Sequence, residues 1–200
     1  MNQSSRRDIT GVILVGGKSR RMGRDKAFLQ IAGKPLFEGV LEIFRESFDR
    51  IVLVGDRAER FAGYGLPVFP DIYPGSALGG LYTALSYAET EYIFVSSCDL
   101  PFANRGILLF LCSLRDGFDA VVPNSDRGFE PLFALYAKSC LGPMRELLEC
   151  GNFCAYGYYP HVRVRYVQGG ELAHLDREGR SFVNVNTPEE FERIRKEGSP

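Results

Sequence analysis

A glycine-rich basic segment, residues 14–26, has the composition of an anion-binding loop. It reads LVGGKSRRMGRDK and follows Ile9 to Val15, an apolar stretch that predicts a buried strand. Gly16 and Gly17 allow backbone N–H groups to approach an anion without a Cβ in the way. Five cationic side chains follow within nine residues: Lys18, Arg20, Arg21, Arg24 and Lys26. Basic runs are usually solvated, but ligands bind at the end of the first strand of an α/β sheet, so we predict a phosphate site here.

An acidic residue, Asp99, follows a second apolar stretch, Tyr92 to Ser96, and precedes Leu100-Pro101. A carboxylate at the carboxyl end of a strand in an α/β sheet is well placed to hold Mg²⁺ against phosphates. By itself, an Asp-x-Pro is more typical of a turn or of a helix N-cap than of a metal site. The metal-binding interpretation therefore requires Asp99 and the glycine-rich segment to meet at one edge of a sheet.

A third segment, PDIYPGSALGGL at residues 70–81, is dominated by small residues and opens a helix. Such a loop can pack its backbone against a flat base and bring N–H groups to the edge of that base. A turn followed by a helix cap explains the segment equally well, so by itself it indicates little.

These segments must be positioned by alternating strands and helices. Periodicity predicts helices at Pro35–Phe48, Leu78–Ala88 and Gly106–Leu114, and further strands at Ile51–Val54, Val68–Phe69 and Ala120–Val122. Alternation of this kind indicates an α/β protein with a mostly parallel sheet and helices on both faces.

The second half of the chain is less regular. We predict strands at Pro131–Ala137, Val162–Val167 and Phe182–Val185, and a helix at Gly142–Glu149. A final helix begins after Thr187, with Pro188 at its first position and Glu190 completing a capping box. The chain has neither an internal repeat nor a low-complexity linker, so we expect one domain over residues 1–200, with residues 1–8 as a disordered tail.

Composition narrows the function classes. The chain has 200 residues, 45% hydrophobic and 24% charged, with a net charge of −1, which does not suit a nucleic-acid coat. The longest apolar stretch, Ile107 to Cys112, is too short to span a bilayer and the N-terminus has no signal-peptide core, so we expect a cytoplasmic protein without membrane or nucleic-acid partners. Five cysteines without a CxxC pair and only two histidines disfavour disulfides and zinc. A divalent metal would depend on carboxylates, which favours Mg²⁺.

Five motifs, taken together, resemble the molybdenum cofactor guanylyltransferase family over roughly residues 9–195. They are LVGGKSRRMGRDK, PDIYPGSALGGL, CDLP, EPLFALY and FVNVNTPEE, in that order. The first is shared by many nucleotidyltransferases of this fold, whereas GRDK, CDLP, EPLFALY and NVNTPEE are more specific in combination. The resemblance implies a single-domain, three-layer Rossmann-like nucleotidyltransferase fold, with GTP bound by residues of about 9–105 and the acceptor by residues of about 106–197.

The resemblance also implies roles for individual residues. Catalysis would rest on Asp99, Lys26, Arg20 and Arg21, with Asp99 as the Mg²⁺ ligand. GTP would be held by Leu14, Val15, Gly16, Gly17, Lys26, Asp71, Gly79 and Asp99. The acceptor would be bound by Glu130, Asn184 and Asn186, although the two asparagines could instead form a strand-end turn. Family members often have an asparagine after the second strand, and Val54-Gly55-Asp56 stands there, so that contact is not expected.

The implied reaction transfers GMP from GTP to a molybdopterin-type cofactor and releases pyrophosphate. Transient contact with molybdoenzymes or their chaperones is a further expectation. Two alternatives remain: another nucleotidyltransferase of this fold, with a cytidylyl or sugar-nucleotide product, and a non-catalytic nucleotide-binding adaptor. The preferred NTP distinguishes another nucleotidyltransferase from a guanylyltransferase. Pyrophosphate release distinguishes an enzyme from a non-catalytic adaptor, which would bind GTP without releasing pyrophosphate.

Overall fold

The computed structural model describes residues 8–16, 26–31 and 33–197. Within them an eight-stranded sheet runs through the molecule. Its strands are β1 Ile9–Leu14, β4 Arg50–Val54, β5 Val68–Phe69, β6 Tyr92–Ser97, β7 Ala120–Ser125, β8 Gly128–Phe129, β9 Phe133–Ala137 and β10 Val164–Gln168. A separate antiparallel pair consists of β2 Gln30–Ile31 and β3 Lys34–Pro35. The α-helices are α1 Leu36–Ser47, α2 Ala77–Tyr87, α3 Arg105–Ser113, α4 Leu141–Glu149, α5 Gly169–Leu172 and α6 Pro188–Glu197.

The strand order is β10-β7-β9-β6-β1-β4-β5, with β8 paired to β7. The pairs β1–β4, β1–β6, β4–β5 and β7–β10 are parallel, which confirms the mostly parallel sheet. Strand β9 runs antiparallel to both β6 and β7, a reversal that we did not predict. The carboxyl ends of β1, β4 and β6 therefore meet at one edge.

Side chains alternate across the sheet and give it two cores. In β1, Ile13 packs with α1 and α3 residues such as Phe44 and Leu111, while Val12 on the other face packs with α2 and α4 residues such as Leu81. All six residues of β1 are buried, as expected for a strand covered by helices on both faces.

The last predicted strand, Phe182–Val185, is wrong. These residues form an irregular segment, in which the Val183 N–H donates to the Arg180 carbonyl as a turn. Phe182 enters the α1–α3 core and Val185 a small cluster with Leu36, and the segment belongs to neither sheet of the described residues. The predicted cap of the following helix is confirmed, because Thr187 and Glu190 exchange side-chain to backbone hydrogen bonds of 3.0 and 3.2 Å.

Two other strands begin later than predicted. The strand predicted from Pro131 starts at Phe133, whose N–H closes a turn onto the Glu130 carbonyl, and the strand predicted from Val162 starts at Val164. Residues 1–7 of the predicted tail lie outside the described residues. No described helix combines the length and the apolar composition that a bilayer-spanning segment requires.

Candidate functional site

A cleft of about 490 Å³ opens at the carboxyl ends of β1, β4 and β6. It is the place where the topology of an open α/β sheet puts a ligand, because the loops after these strands diverge there. Most of the predicted site residues that the structure describes line it, namely Leu14, Val15, Gly16, Lys26, Asp71, Asp99, Asn184 and Asn186. Segments distant in sequence therefore converge on one volume.

Asp99 and Lys26 are adjacent in this cleft. The Lys26 ammonium lies 3.5 Å from one Asp99 carboxylate oxygen, and both side chains are 18% exposed. The other carboxylate oxygen accepts a 2.6 Å hydrogen bond from the Ser97 hydroxyl. Lys26 also donates to the Asn186 side-chain oxygen at 2.8 Å. A cation, a carboxylate and an amide are thus held within reach of a common ligand.

The contact between Lys26 and Asn186 spans 160 positions and depends on the C-terminal segment. The Val185 N–H donates to the Asp99 carbonyl at 3.0 Å, which fixes Asn184 and Asn186 beside the end of β6. Val185 is buried together with Leu36, so an apolar cluster at the start of α1 supports this polar contact. Both asparagines line the cleft without belonging to a strand.

Asp71 contributes a second carboxylate to the wall of the cleft. One of its oxygens, Oδ1, is buried and has no hydrogen-bond partner among the described residues. Burial, followed by repulsion from Asp56, raises the pKa of Asp71 to about 6, while the Thr83 hydroxyl opposes this rise. The next residue, Ile72, donates its N–H to Thr83 in α2 at 2.9 Å and so anchors the loop. A buried acceptor without a donor indicates a place for a ligand that carries N–H or O–H groups.

Gly16 allows two backbone segments to pack closely, and its N–H is already hydrogen-bonded within the protein. The N–H groups of Val15 and Gly16 both donate to the Val54 carbonyl, at 2.9 and 3.2 Å. A Cβ on Gly55 would lie 2.6 Å from the Gly16 nitrogen, so the two loops pack backbone against backbone. Val54, the first residue of the Val54-Gly55-Asp56 segment that differs from the family pattern, lines the cleft together with Gly16.

Two predicted binding residues lie away from the cleft surface. Gly79 is in the first turn of α2, where its N–H donates to the cap residue Ser76 at 3.0 Å, and a Cβ there would lie 1.9 Å from the Tyr73 carbonyl oxygen. Its neighbour Gly80 lines the cleft instead. Glu130 does not line the cleft; its carboxylate accepts a 2.6 Å hydrogen bond from Ser125, and burial raises its pKa. The predicted residues Gly17, Arg20 and Arg21 lie outside the described residues.

Sequence reasoning missed several lining residues, among them Ser97, Cys98 and Leu132. Ser97 carried a usable signal, because it stands two residues before Asp99 at a strand end and its hydroxyl can reach that carboxylate. Leu132 belongs to the EPLFALY motif, but its place in the cleft depends on the reversed direction of β9, which we did not predict.

The donor set suits a hard cation that is shared with a substrate. Within the ranges 8–16, 26–31 and 33–197, no three His, Cys, Asp or Glu side chains cluster closely enough to hold a metal by themselves. Mg²⁺ in phosphoryl-transfer sites is commonly held by one or two carboxylates together with phosphates and water. Asp99 fits that role.

A mostly parallel sheet with Gly16, Lys26 and the strand-end carboxylate of Asp99 around one cleft defines an α/β protein of the nucleotidyltransferase type. The family model of the MobA-like NTP transferase domain matches residues 11–156. The chain belongs to this family.

Relatives and a solved structure carry the same indication over nearly the whole chain. A probable molybdenum cofactor guanylyltransferase from Pelotomaculum thermopropionicum is 35% identical over 93% of this chain and 91% of that protein. The molybdenum cofactor guanylyltransferase of Desulfosudis oleivorans is 32% identical, covering 92% and 93% respectively. The crystal structure of molybdopterin-guanine dinucleotide biosynthesis protein A from Archaeoglobus fulgidus is 29% identical, with a TM-score of 0.83, covering 94% of this chain and 97% of that one.

Proposed function

We propose that this chain transfers the guanylyl group of GTP to a phosphorylated molybdopterin-type cofactor, giving the guanine dinucleotide cofactor and pyrophosphate. The observation that carries the proposal is the meeting of Lys26 and Asp99 beside the loop after β1. The relatives named above bear the name of this activity and support the assignment. Residues of about 9–105 bind GTP and residues of about 106–197 bind the acceptor, in the cytoplasm. Contact with molybdoenzymes or their chaperones at delivery belongs to the same proposal.

The reaction needs positioning and neutralisation of charge more than proton transfer. An oxygen of the acceptor phosphate forms a bond to the α-phosphorus of GTP, and the bond from that phosphorus to the β-phosphate oxygen breaks. The attacking oxygen is already ionised near neutral pH, so no strong base is required. The main cost in free energy that remains is the electrostatic repulsion between the two anionic substrates.

Lys26 is placed to reduce that cost. Its ammonium is held between Asn186 and Asp99 in a cleft where both charged side chains are only 18% exposed, so it neutralises a phosphate more effectively than a fully solvated lysine does. Arg20 and Arg21 belong to the same proposal, as cations that face the triphosphate and the leaving pyrophosphate.

Asp99 is the residue that would hold Mg²⁺. One oxygen of its carboxylate accepts the 2.6 Å hydrogen bond from the Ser97 hydroxyl, which orients the group. The other oxygen, now beside Lys26, would be available to bind the metal. When bound, the cation neutralises charge on the GTP phosphate oxygens.

Asp71 and the loop at Gly75–Gly80 bind guanosine in this proposal. The unpartnered Asp71 oxygen accepts hydrogen bonds from N–H donors of guanine, which cytosine does not present in the same arrangement. Asn184 and Asn186 serve the acceptor at the opposite wall. The backbone of Leu14, Val15 and Gly16 lies along the nucleotide.

The test is turnover with each of the four NTPs, Mg²⁺ and molybdenum-loaded molybdopterin, read as pyrophosphate release and as dinucleotide product by mass spectrometry. Of the four NTPs, we expect only GTP to give product. Preference for CTP would instead assign a cytidylyltransferase. Metal-dependent GTP binding without pyrophosphate would assign a non-catalytic adaptor.

A further inference from the structure

Four aromatic side chains form a cluster at the surface of the acceptor half: Phe129, Tyr156, Tyr159 and Tyr166. The Phe129 ring stacks on Tyr166 with centroids 5.0 Å apart and an interplanar angle of 25°. It also meets Tyr156 edge-on at 5.6 Å and Tyr159 at 5.7 Å. We call these four residues the aromatic cluster.

The cluster is open to solvent although its members contact one another. Tyr159 is buried and forms its base, while Phe129 remains 38% exposed and Tyr156 48% exposed. Single exposed aromatic residues are ordinary, but contiguous exposed apolar surface of this kind commonly marks a binding site. Phe129 and Tyr156 therefore contribute exposed aromatic surface beside Tyr166.

A short stretch of chain joins the aromatic cluster to the cleft. Phe129 ends β8, and Leu132, three residues later, lines the cleft. Three trans peptide units separate their Cα atoms by at most about 11 Å. The Leu132 carbonyl accepts from the Ser97 N–H at 3.0 Å, which ties this connection to the strand that precedes Asp99. The backbone of Phe129 is therefore within about 11 Å of a residue that lines the cleft, a span that an extended ring system can bridge.

A carboxylate lies between these two residues in the sequence. Glu130 directly follows Phe129, is half-buried and accepts a hydrogen bond from the Ser125 hydroxyl at 2.6 Å through one of its oxygens. Its remaining acceptor positions suit adjacent N–H donors, such as those on the pyrimidinone edge of a pterin. Stacking faces beside an acceptor match a conjugated nitrogen heterocycle better than they match an aliphatic or a polyanionic ligand.

We infer that the aromatic cluster binds the conjugated heterocycle of the acceptor by stacking, while the acceptor phosphate lies in the cleft. The inference rests on the proposed function and extends it, because it assigns Phe129, Tyr156 and Tyr166 to acceptor recognition. Guanosine is served by Asp71 at the other side of the cleft, so the cluster discriminates acceptors and leaves the choice of NTP unchanged.

The experiment compares Phe129→Ala, Phe129→Leu and Phe129→Trp with the wild type. The leucine variant keeps apolar bulk without a ring face, and the tryptophan variant keeps the face. The control is Tyr87→Ala, which removes a ring of similar exposure, 43%, that stacks on Phe69 at the opposite edge of the sheet. KM is measured separately for molybdopterin and for GTP, with thermal melts to verify folding.

We expect the KM for molybdopterin to rise about tenfold in Phe129→Ala and Phe129→Leu, in line with measured losses on removing a stacked ring. Phe129→Trp and Tyr87→Ala stay near the wild-type value, and the KM for GTP is unchanged in all four. An unchanged molybdopterin KM in folded Phe129→Ala overturns the inference and leaves the cluster as a surface for a protein partner. Equal losses in the alanine and tryptophan variants also overturn it, since stacking would then not be the cause.

A second readout separates this inference from the proposed function. Neopterin monophosphate is titrated against each variant without GTP, and quenching of pterin fluorescence is followed. Quenching that is lost in Phe129→Ala and Phe129→Leu but kept in Phe129→Trp supports the inference even if the wild type releases no pyrophosphate from GTP. Quenching that is absent from the wild type, or identical in every variant, overturns it.

Discussion

In the proposed nucleotide half, residues 9–105, parallel strands end at one edge of the sheet, where Lys26, Asp71 and Asp99 line a cleft. In the proposed acceptor half, residues 106–197, the reversed strand β9 and the β7–β8 hairpin instead place aromatic side chains around the same edge. Charged side chains thus distinguish the first half at this edge, and aromatic side chains distinguish the second. The difference matches the two substrates that we propose, a triphosphate on one side and a ring system on the other.

The largest expected effect falls on the charged pair of the nucleotide half. Asp99→Ala and Lys26→Ala should each lower turnover by about 10²–10³-fold, if the loss of a preorganised charged group in other enzymes is a guide. The measurement is pyrophosphate release under saturating substrates, with circular dichroism to verify folding.

The matched control is Asp116→Ala, since Asp116 is an exposed acid with a side chain 95% accessible. It should leave turnover unchanged. A folded Asp99→Ala protein with near-normal turnover would show that Asp99 does not hold a metal that the reaction needs. It would also contradict the contrast between the two halves.

Backbone packing gives the next largest effect, on stability. Gly79→Ala should destabilise the fold by about 3 kcal/mol, because the new Cβ would lie 1.9 Å from the Tyr73 carbonyl oxygen. Gly142→Ala, in α4 of the acceptor half, meets nothing within 4 Å and should be neutral or stabilise by up to about 1 kcal/mol. Urea denaturation measures both. Equal effects would mean that the nucleotide half is no more tightly packed than the acceptor half.

The two halves also differ in how far the sequence alone predicts them. Repeated strand–glycine–helix units placed β1, α1 and β6 correctly, and Asp99 just after β6, because burial on both faces leaves a continuous apolar run that ends in a polar residue. The reversal of β9 was not predicted, although the predicted strands Ala120–Val122 and Pro131–Ala137 leave eight residues between them, too few for a parallel crossover if the two strands pair. The position of Leu132 depends on that reversal and was missed with it.

The error at Phe182–Val185 has a similar origin. Val183 and Val185 alternate with Asn184 and Asn186 as in a strand, yet this pattern also arises in an irregular segment whose apolar side chains enter one small cluster. Asn184 and Asn186 still reach the cleft, because the hydrogen bond from Val185 to Asp99, the burial of Val185 and the contact between Lys26 and Asn186 hold the segment there. The position of a site residue was therefore more predictable than its secondary structure.

A smaller effect concerns pH. The pKa of Asp71 is about 6 in the fold against an ordinary 3.8, so between these pH values the unfolded chain binds fewer protons than the folded one. Stability should therefore fall as pH rises from about 4 to 6. Because Asp71 is partly solvated, the loss should be only about 1 kcal/mol. Asp71→Asn should abolish this fall and stabilise the free protein near neutral pH while weakening GTP binding.

Thermal melts across pH 3.5 to 7.5 test this sharply, with GTP affinity measured alongside by titration calorimetry. If Asp71→Asn kept both the pH dependence and the full affinity for GTP, the unpartnered oxygen would have neither the electrostatic nor the binding role assigned to it.

The smallest effect belongs to the buried tyrosines of the acceptor half. The Tyr158 hydroxyl has no partner in the described ranges, so Tyr158→Phe should be neutral or stabilise by up to about 1 kcal/mol. Tyr136→Phe should cost about 1 kcal/mol, because that hydroxyl donates to the Pro131 carbonyl at 2.8 Å and lies 3.1 Å from the Tyr159 hydroxyl. Chemical denaturation measures the free energy of unfolding of both variants. A larger loss in Tyr158→Phe than in Tyr136→Phe would show that the hydrogen-bond partners of the two hydroxyls are wrong.

The hydrogen bonds that join Val185 to Asp99 and Asn186 to Lys26 also bear on protein synthesis. During translation β1, β4 and β6 can pair well before Asn186 leaves the ribosome, so a nascent chain can hold much of its sheet while one wall of the cleft is still missing. The segment made late thus completes a site that begins with one of the earliest lysines, and a prematurely ended polypeptide would lack that wall.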